Sequence, residues 1–333
     1  MKKVLIVKCS ALGDVLRTTS LLPPLKRLGP CRVHWLTSPQ ARPLLRGNPH
    51  LESVWILGRP LPRDFDLVLS LEESEAAARA AEGACRGEFL GVRPGLGYTP
   101  SSAPYYDMSL LRRDPDGGRQ RADALKKANR LTYSDLWLHI LGSTGPAPRP
   151  VLRLSPAEKA RARRFARKHG FLPGTAVGFN PGAGRRWPSK QLSVEASVRL
   201  LQALAGLGRP VLLFGGAGEK ARNRRILASV GEARVLAPGP RPLREFAALV
   251  GLCGALVTTD TLALHVAAAL GRGLVALVGP TSAAELDVYG RGAVLTPPRG
   301  CACFYRPRCA ARTHCLSSIP PERVVSEVRR LLR

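Results

Sequence analysis

The chain has 333 residues, 45% of them hydrophobic, which is typical of a globular rather than a disordered protein. This length exceeds what one hydrophobic core usually organises, so two domains are expected. The formal net charge is +27 and the basic residues are spread along the chain, so the surface should attract anions such as nucleotides, phosphorylated lipids or nucleic acid.

Two classes of protein are disfavoured at once. Only 5% of the residues are aromatic, and no zinc-finger spacing, recognition helix or basic stripe with stacking rings is evident, so nucleic acid is an unlikely partner. The first apolar run ends at Lys8, far short of the roughly 20 residues that a membrane helix needs. We therefore expect a cytoplasmic protein, one that could lie peripherally at the anionic inner face of a membrane.

The first half of the chain is predicted to alternate strand and helix. Strands are expected at 4–7, 33–36, 53–57 and within 64–72, with helices at 15–28, 41–46 and 74–82. Residues 85–120 are rich in Gly, Pro and Ser and are predicted to be a long loop, followed by one helix over 122–141. The proline-rich stretch 143–156 is the expected linker, which places the domains at 1–150 and 151–333.

The second half repeats this alternation. Strands are predicted at 176–180, 210–216, 234–237, 255–259 and 274–279, and helices at 157–169, 194–207, from about 220, at 242–250, at 262–270 and from 321. Short apolar strands between helices favour parallel, doubly wound sheets, so a two-lobed α/β protein is predicted. Ligands of such sheets bind at the carboxyl ends of the strands, which makes the cleft between the lobes the expected site.

The motif SALGDVLRT, residues 10–18, directly follows the first predicted strand. Gly13 should permit a tight turn into the helix, and Asp14 should lie in the first helical turn with its carboxylate facing the cleft. A carboxylate at that place is also a good helix cap, so spacing alone favours a structural role for Asp14 over a chemical one.

Two further motifs follow strands of the second half. NPGAGRRWPSK, residues 180–190, could bind a diphosphate through backbone N–H groups, Arg185, Arg186 and Lys190, although it lacks the ordered residues of a Walker loop. FGGAGEK, residues 214–220, places Glu219 after a strand that ends in glycines. A carboxylate there can bind ribose hydroxyls, but an ordinary turn is equally compatible.

The motif VTTDTLALHVAAALG, residues 257–271, predicts a strand, an N-cap at Asp260 and a small apolar helix that ends at Gly271. The N-terminus of such a helix attracts anions. His265 lies near that end, and it is either a core residue or part of an anion site.

Three segments of the chain are SALGDVLRTTSLLPPLKR, NPGAGRRWPSKQ and TTDTLALHVAAALGRGLVALVGPT. Together, and in that order, they resemble the signatures of glycosyltransferase family nine, the ADP-heptose:lipopolysaccharide heptosyltransferases and their relatives. The resemblance implies a GT-B fold, with two Rossmann-like lobes whose parallel sheets face a central cleft. It implies an inverting, cofactor-independent transfer of a heptose or related sugar from an ADP-sugar donor to a glycan, glycolipid or lipopolysaccharide-core-like acceptor. The acceptor would be held mainly by the N-terminal lobe and the nucleotide sugar by the C-terminal one.

The same resemblance implies site residues. Asp14 matches the family's proposed catalytic base, with Ser10, Gly13 and Arg17 on the acceptor side. The positions that match the donor site are Gly182, Ala183, Arg185, Glu219, Asp260, Thr261 and His265. The chain departs from the family at Leu262, where glycine is frequent, and at Ala183, where several heptosyltransferases carry a hydroxyl residue. Other classes that suit these patterns are a nucleotide-sugar epimerase or hydrolase of the same fold, and a basic nucleotide- or RNA-binding protein.

Half of the eight cysteines lie within 301–315: Cys301, Cys303, Cys309 and Cys315. In a reducing compartment such crowding favours a metal over disulfides, and four thiolates can close a tetrahedral structural site around zinc or iron. The arginines of this segment are expected to lower the thiol pKa values. The CxC pair is not the usual zinc spacing, and two disulfides or free thiols are the alternatives. The cluster is similar to the four-cysteine iron site of a related branch, the bacterial autotransporter heptosyltransferases.

Overall fold

The computed structural model describes residues 1–109, 118–143, 145–184, 186–231, 234–309 and 314–333. The chain divides into two compact units, Met1–Arg153 and Leu154–Arg333. In the part of the chain that is described, no helix combines the length and the apolar character needed to cross a bilayer.

The first unit is built on a five-stranded parallel sheet in the order β3-β2-β1-β4-β5. Its strands are β1 Lys2–Val7, β2 Cys31–Thr37, β3 Ser53–Ile56, β4 Phe65–Ser70 and β5 Cys85–Gly91. Its helices are α1 Leu12–Thr18, α2 Leu22–Arg27, α3 Arg42–Leu45, α4 Glu75–Ala84, α5 Ala103–Tyr106, α6 Gly118–Ala128 and α7 Tyr133–Ile140.

The position of β1 in the centre of the sheet explains why its sequence is continuously apolar. Val4 and Ile6 belong to one buried cluster and Leu5 and Val7 to another, because successive side chains of a strand point to opposite faces of the sheet. Both faces are covered, as is usual for a parallel sheet, so every residue of the run is buried.

Two predictions for this unit are wrong. The loop predicted over 85–120 contains β5, and the glycines that suggested a loop mark close strand contact: a Cβ on Gly87 or Gly91 would collide with the backbone of β4. The single helix predicted over 122–141 is α6 and α7. The break arises because the Asn129 side chain accepts the N–H of Leu131, and Thr132 caps α7 by accepting the N–H of Asp135 at 3.1 Å.

The segment predicted to be a linker packs largely on the first unit. Ala147 is buried in its core and donates its N–H to Asp135 Oδ1 at 2.9 Å, and the Val151 N–H donates to Thr19 Oγ1 at 2.8 Å. The division between the units accordingly falls after Arg153.

The second unit contains a six-stranded parallel sheet in the order β11-β10-β9-β6-β7-β8. Its strands are β6 Ala176–Asn180, β7 Val211–Leu213, β8 Val235–Leu236, β9 Cys253–Thr259, β10 Gly273–Leu277 and β11 Gly292–Leu295, the last of which was not predicted. Its helices are α8 Pro156–Lys168, α9 Val194–Ala205, α10 Lys220–Ala228, α11 Leu243–Val250, α12 Leu262–Ala269 and α13 Pro321–Leu331.

Candidate active site

Asp14 is the third residue of α1, directly after the turn that leaves β1. Its Oδ1 lies 2.9 Å from Arg17 Nη2, and its Oδ2 lies 3.4 Å from the backbone nitrogen of Ala11. The Arg17 guanidinium lies over the Tyr133 ring, 3.9 Å from the ring centre, in a cation–π contact. The carboxylate is thus oriented by a fixed cation, and 34% of its side chain remains exposed.

The two remaining acceptor-side candidates lie on either side of this helix start. Ser10 is in the turn, and its hydroxyl donates to Glu72 Oε1 at 2.7 Å. Gly13 was expected to make the turn, but it is the second residue of α1, which begins at Leu12. The four predicted residues therefore lie together where β1 ends.

In the second unit, Asp260 was expected to be the N-cap of α12, but the N-cap is Thr261. The Asp260 Oδ2 instead accepts hydrogen bonds from Lys190 Nζ at 2.7 Å and Thr281 Oγ1 at 2.9 Å. The side chains of Lys190 and Asp260 are only 16% and 15% exposed. A nearly buried lysine is therefore held in place by an acidic partner, an arrangement that the sequence did not reveal.

The turn into α12 is held from the neighbouring strand β6. Asn180 ends β6, and its Nδ2 lies within hydrogen-bonding distance of Gly182 O (3.1 Å), Thr258 Oγ1 (3.3 Å) and Thr261 Oγ1 (3.3 Å). His265 is the fourth residue of α12 and is buried. Thr261 and His265 are thus on the helix whose N-terminal N–H groups point out of the sheet's carboxyl edge.

Glu219 joins the two glycine-containing loops that follow β6 and β7. Its Oε1 accepts the Gly184 N–H at 2.8 Å, and its Oε2 accepts the Gly216 N–H at 2.6 Å. Gly182 lies against the same carboxylate, and a Cβ there would be 2.7 Å from Oε1. Ala183 is in this loop, whereas Arg185 lies outside the described residues. The donor-side candidates that are described therefore gather at the carboxyl edge of β6, β7 and β9.

The cysteine segment forms a compact group of thiols. The Cys301 Sγ lies 3.1 Å from Cys303 Sγ and 3.0 Å from Cys315 Sγ, and the Cys309 thiol is within hydrogen-bonding reach of Cys303. All eight cysteines are free thiols, so the disulfide alternative does not describe this structure. Three of the sulfur atoms lie within 4.8 Å of one another, close enough to share one metal ion.

The expected lowering of the thiol pKa values by arginine is wrong. Burial raises the pKa of Cys315 to about 12, and burial together with the neighbouring thiols raises the pKa of Cys303. Arg306 and Arg308 are exposed, so solvent screens their charge. In the metal-free chain these thiols are therefore held protonated, and metal binding would displace the protons.

The cysteine segment also contacts the donor-side turn. Ser189, next to Lys190, donates its hydroxyl to Arg306 O at 2.7 Å and its N–H to Pro307 O at 2.9 Å. The Tyr305 N–H donates to Pro280 O at 2.6 Å, one residue before Thr281. The segment therefore supports the chain next to Lys190 and Thr281, the two residues that donate hydrogen bonds to Asp260.

A family model described as glycosyltransferase family 9 (heptosyltransferase) matches residues 55–302. The chain belongs to glycosyltransferase family 9. This glycosyltransferase is 26% identical over 308 residues to lipooligosaccharide heptosyltransferase 2 of Haemophilus influenzae, with 84% of each chain covered.

Solved structures confirm the predicted GT-B fold of this family 9 member. A family 9 glycosyl transferase of Veillonella parvula matches with a TM-score of 0.79 and 18% identity, covering 99% of this chain and 97% of that one. The ADP-heptose heptosyltransferase II of Escherichia coli matches with a TM-score of 0.69 and 24% identity, covering 100% and 98%. The iron-containing dodecameric glycosyltransferase TibC of enterotoxigenic Escherichia coli matches with a TM-score of 0.58 and 13% identity, covering 99% and 76%.

Proposed function

We propose that this glycosyltransferase moves a heptose, or a closely related sugar, from an ADP-sugar donor to a glycolipid or lipopolysaccharide-core-like acceptor, with inversion at the anomeric carbon. The observation that carries the proposal is the family match over residues 55–302. The names of its relatives support the choice of sugar and acceptor: one acts on lipooligosaccharide and another is described by ADP-heptose.

Asp14 is the proposed general base. The acceptor hydroxyl oxygen forms a bond to the anomeric carbon, the bond from that carbon to the phosphate oxygen breaks, and the hydroxyl proton passes to Asp14. One carboxylate suffices for this single displacement. Arg17 orients that carboxylate at 2.9 Å, and Ser10 and Gly13 border the place of the acceptor.

Lys190 and the N-terminus of α12 are the proposed partners of the leaving diphosphate. Negative charge grows on the diphosphate as the bond breaks, and an ammonium group with helix N–H groups near Thr261 would stabilise it. Gly182 and Ala183 would let the backbone approach the phosphates. Glu219 keeps lone pairs beyond its two N–H contacts, so it can still accept ribose hydroxyls.

Asp260 has a supporting role on the donor side, because it holds Lys190 in place. His265 is proposed to contact the donor from the same helix as Thr261, and Arg185 remains a predicted diphosphate ligand. With these side chains the proposed transfer itself needs no bound cofactor.

The transfer is tested with purified protein and a panel of nucleotide sugars. We expect ADP-heptose to raise the melting temperature and ADP to be released only when an acceptor from heptose-deficient lipooligosaccharide is present. Release of ADP without acceptor would favour the hydrolase alternative, and conversion of the sugar alone would favour the epimerase. Tight RNA binding that weakens steeply with salt would favour a nucleic-acid protein.

We further propose that Cys301, Cys303, Cys309 and Cys315 bind a structural zinc or iron ion. Support comes from the grouping of the sulfur atoms and from the iron-containing TibC, which shares the fold. Four thiolates leave no open coordination position, so the ion would stabilise the segment that supports the donor-side turn rather than take part in the chemistry.

The metal proposal is tested on protein purified without chelator. About one equivalent of zinc or iron per chain is expected, and Cys303→Ser should lose the metal and melt at a lower temperature. Cys85→Ser is the matched control, because Cys85 is a free thiol in the other unit. Substoichiometric metal together with wild-type melting of Cys303→Ser would contradict the proposal.

We also propose that a basic face of α8 binds an anionic membrane surface. The buried side of this helix packs on its own unit, and six exposed basic residues lie on the remainder of its surface. They are Lys159, Arg161, Arg163, Arg164, Arg167 and Lys168. Each contributes roughly 1 kcal/mol near anionic lipid. Co-sedimentation with phosphatidylglycerol vesicles, but not with neutral vesicles, is expected to weaken when Arg163 and Arg167 are changed to Gln. Equal binding of the variant would contradict the proposal.

A further inference from the structure

We propose that Glu72 is a positioning residue that fixes the turn carrying Asp14 into α1. Glu72 does not touch Asp14 itself and would act through the backbone of the turn. The inference rests on the proposed role of Asp14 as general base.

Glu72 binds the turn with both carboxylate oxygens. Its Oε2 accepts the backbone N–H groups of Cys9 and Ser10, each at 2.8 Å, and its Oε1 accepts the Ser10 hydroxyl at 2.7 Å. Hydrogen bonds to an ionised acceptor are stronger than neutral ones. Three such bonds from two consecutive residues leave the turn little freedom to shift.

The topology explains why Glu72 is at this place. β4 pairs in parallel with β1, with Ser70 opposite Val7, so the residues after β4 lie beside the turn after β1. The Lys8 Nζ donates to Leu71 O at 2.9 Å and lies 3.6 Å from Glu72 Oε2. Lys8 is therefore a second connection, in addition to Glu72, between the chain that follows β1 and the chain that follows β4.

The charge of Glu72 is compensated where it is buried. Its side chain is 8% exposed and that of Lys8 is 11% exposed. Burial alone would lower the pKa of Lys8, but the neighbouring acidic groups, led by Glu72 and Asp14, together outweigh burial and raise it, so Lys8 remains a cation. A buried carboxylate with a cation and three donors around it is a rigid anchor, because each of its interactions is satisfied.

The anchored turn leads directly into the residues that orient Asp14. Ala11 follows Ser10, its N–H points to Asp14 Oδ2 at 3.4 Å, and its carbonyl accepts the Val15 N–H at 3.0 Å. A shift of Ser10 would therefore move the start of α1 and the carboxylate with it. Displacements of about 1 Å are enough to lower turnover by about a hundredfold.

The test is a double-mutant cycle between Glu72→Gln and Asp14→Asn, with donor affinity measured in parallel. Glu72→Gln keeps the shape but turns an N–H group toward donors, so we expect turnover to fall by about 10- to 100-fold with unchanged ADP affinity. In the Asp14→Asn background the same change should cost less than about 3-fold, because no base is left to misplace. Glu82→Gln, a surface ion-pair partner of Arg93, is the matched control and should leave turnover unchanged.

A second variant keeps the proposal testable if Glu72→Gln does not fold. Ser10→Ala removes one of the three donors to Glu72, and we expect turnover to fall by about 3- to 10-fold with an unchanged KM for the acceptor. An increase of that KM with unchanged turnover would overturn the proposal, because Ser10 would then contact the acceptor directly.

The remaining outcomes separate this inference from the proposed function. Equal losses in both backgrounds, or no loss from Glu72→Gln while Asp14→Asn is inactive, would overturn the positioning role alone. Wild-type turnover of Asp14→Asn would overturn the base assignment, and the positioning role would fall with it.

Discussion

The change Asp14→Asn separates a chemical role from a structural one, because its structural effect is small. The Asp14 side chain is one-third exposed and pairs with Arg17 at 2.9 Å. An ion pair of this exposure and a carboxylate in a first helical turn each contribute about 0.3–1 kcal/mol. Asparagine keeps the side-chain oxygen that can accept the Ala11 N–H, so we expect the free energy of unfolding to fall by about 1 kcal/mol.

The catalytic effect of the same change should be larger. Loss of a general base lowers turnover by about a hundredfold or more, which corresponds to about 2.7 kcal/mol of transition-state stabilisation. The amide cannot accept the proton of the acceptor hydroxyl at any pH. Donor affinity should stay near that of the wild type, because the proposed donor-binding groups are in the other unit.

Three measurements on one preparation decide between the roles of Asp14. Urea unfolding gives the change in stability, calorimetry with ADP gives donor-site affinity, and acceptor-dependent ADP release gives turnover. Wild-type turnover combined with a loss of about 1 kcal/mol in stability would show that Asp14 is only a helix cap.

Three further changes probe the donor side and the second unit. Lys190→Ala should weaken ADP binding by about 1.5–3 kcal/mol in calorimetry, the usual size of a charge-assisted contact, and unchanged affinity would remove it from the site. Gly182→Ala should weaken ADP binding several-fold, because the new Cβ would displace Glu219; full affinity would show that the loop adapts. The Arg244 guanidinium lowers the pKa of Glu158 to about 2, below its unfolded value, so this pair stabilises the fold above about pH 4.5 and less as the pH falls. Between pH 6 and 2 the wild type should lose about 3 kcal/mol more in free energy of unfolding than Glu158→Gln. Urea titrations in which both proteins lose the same free energy of unfolding over this pH range would contradict the prediction.

The alternation of strand and helix could be predicted because each element carries its own periodic signal. β1 is recognisable from its unbroken apolar run, and β6 was predicted at its observed bounds, 176–180. β5 was missed because CRGEFLG contains two glycines and two charged residues, and only its last residues are buried. β11 is four residues long, too short for a periodic pattern.

The residues of the candidate site could be predicted individually but not in their pairings. The motifs singled out Asp14, Glu219 and Asp260 as candidates, since each motif follows or includes the end of a predicted strand. The contact of Lys190 with Asp260 joins residues 70 positions apart, and that of Glu72 with Ser10 joins residues 62 apart. Both depend on strand order, which the alternation of elements leaves undetermined: β6 lies beside β9, and β4 beside β1. The one feature of the sequence that could have pointed to Glu72 is its location at the carboxyl end of a predicted strand, where ligands of parallel sheets bind.

The two pairs at the carboxyl edges have a common physical basis. Asp14 is held by Arg17 and Lys190 by Asp260, so each proposed reactive charge is held by a counter-charge of the folded chain. A lysine side chain loses substantial rotamer entropy when it is fixed, and a nearly buried Lys190 loses it on folding rather than on binding the donor. Its charge is then in place before the diphosphate becomes more negative, which is the condition under which a fixed charge stabilises a transition state most. Asp260 weakens the attraction of Lys190 for any anion, so the donor must supply further contacts, and those contacts allow the site to distinguish a nucleotide sugar from free phosphate.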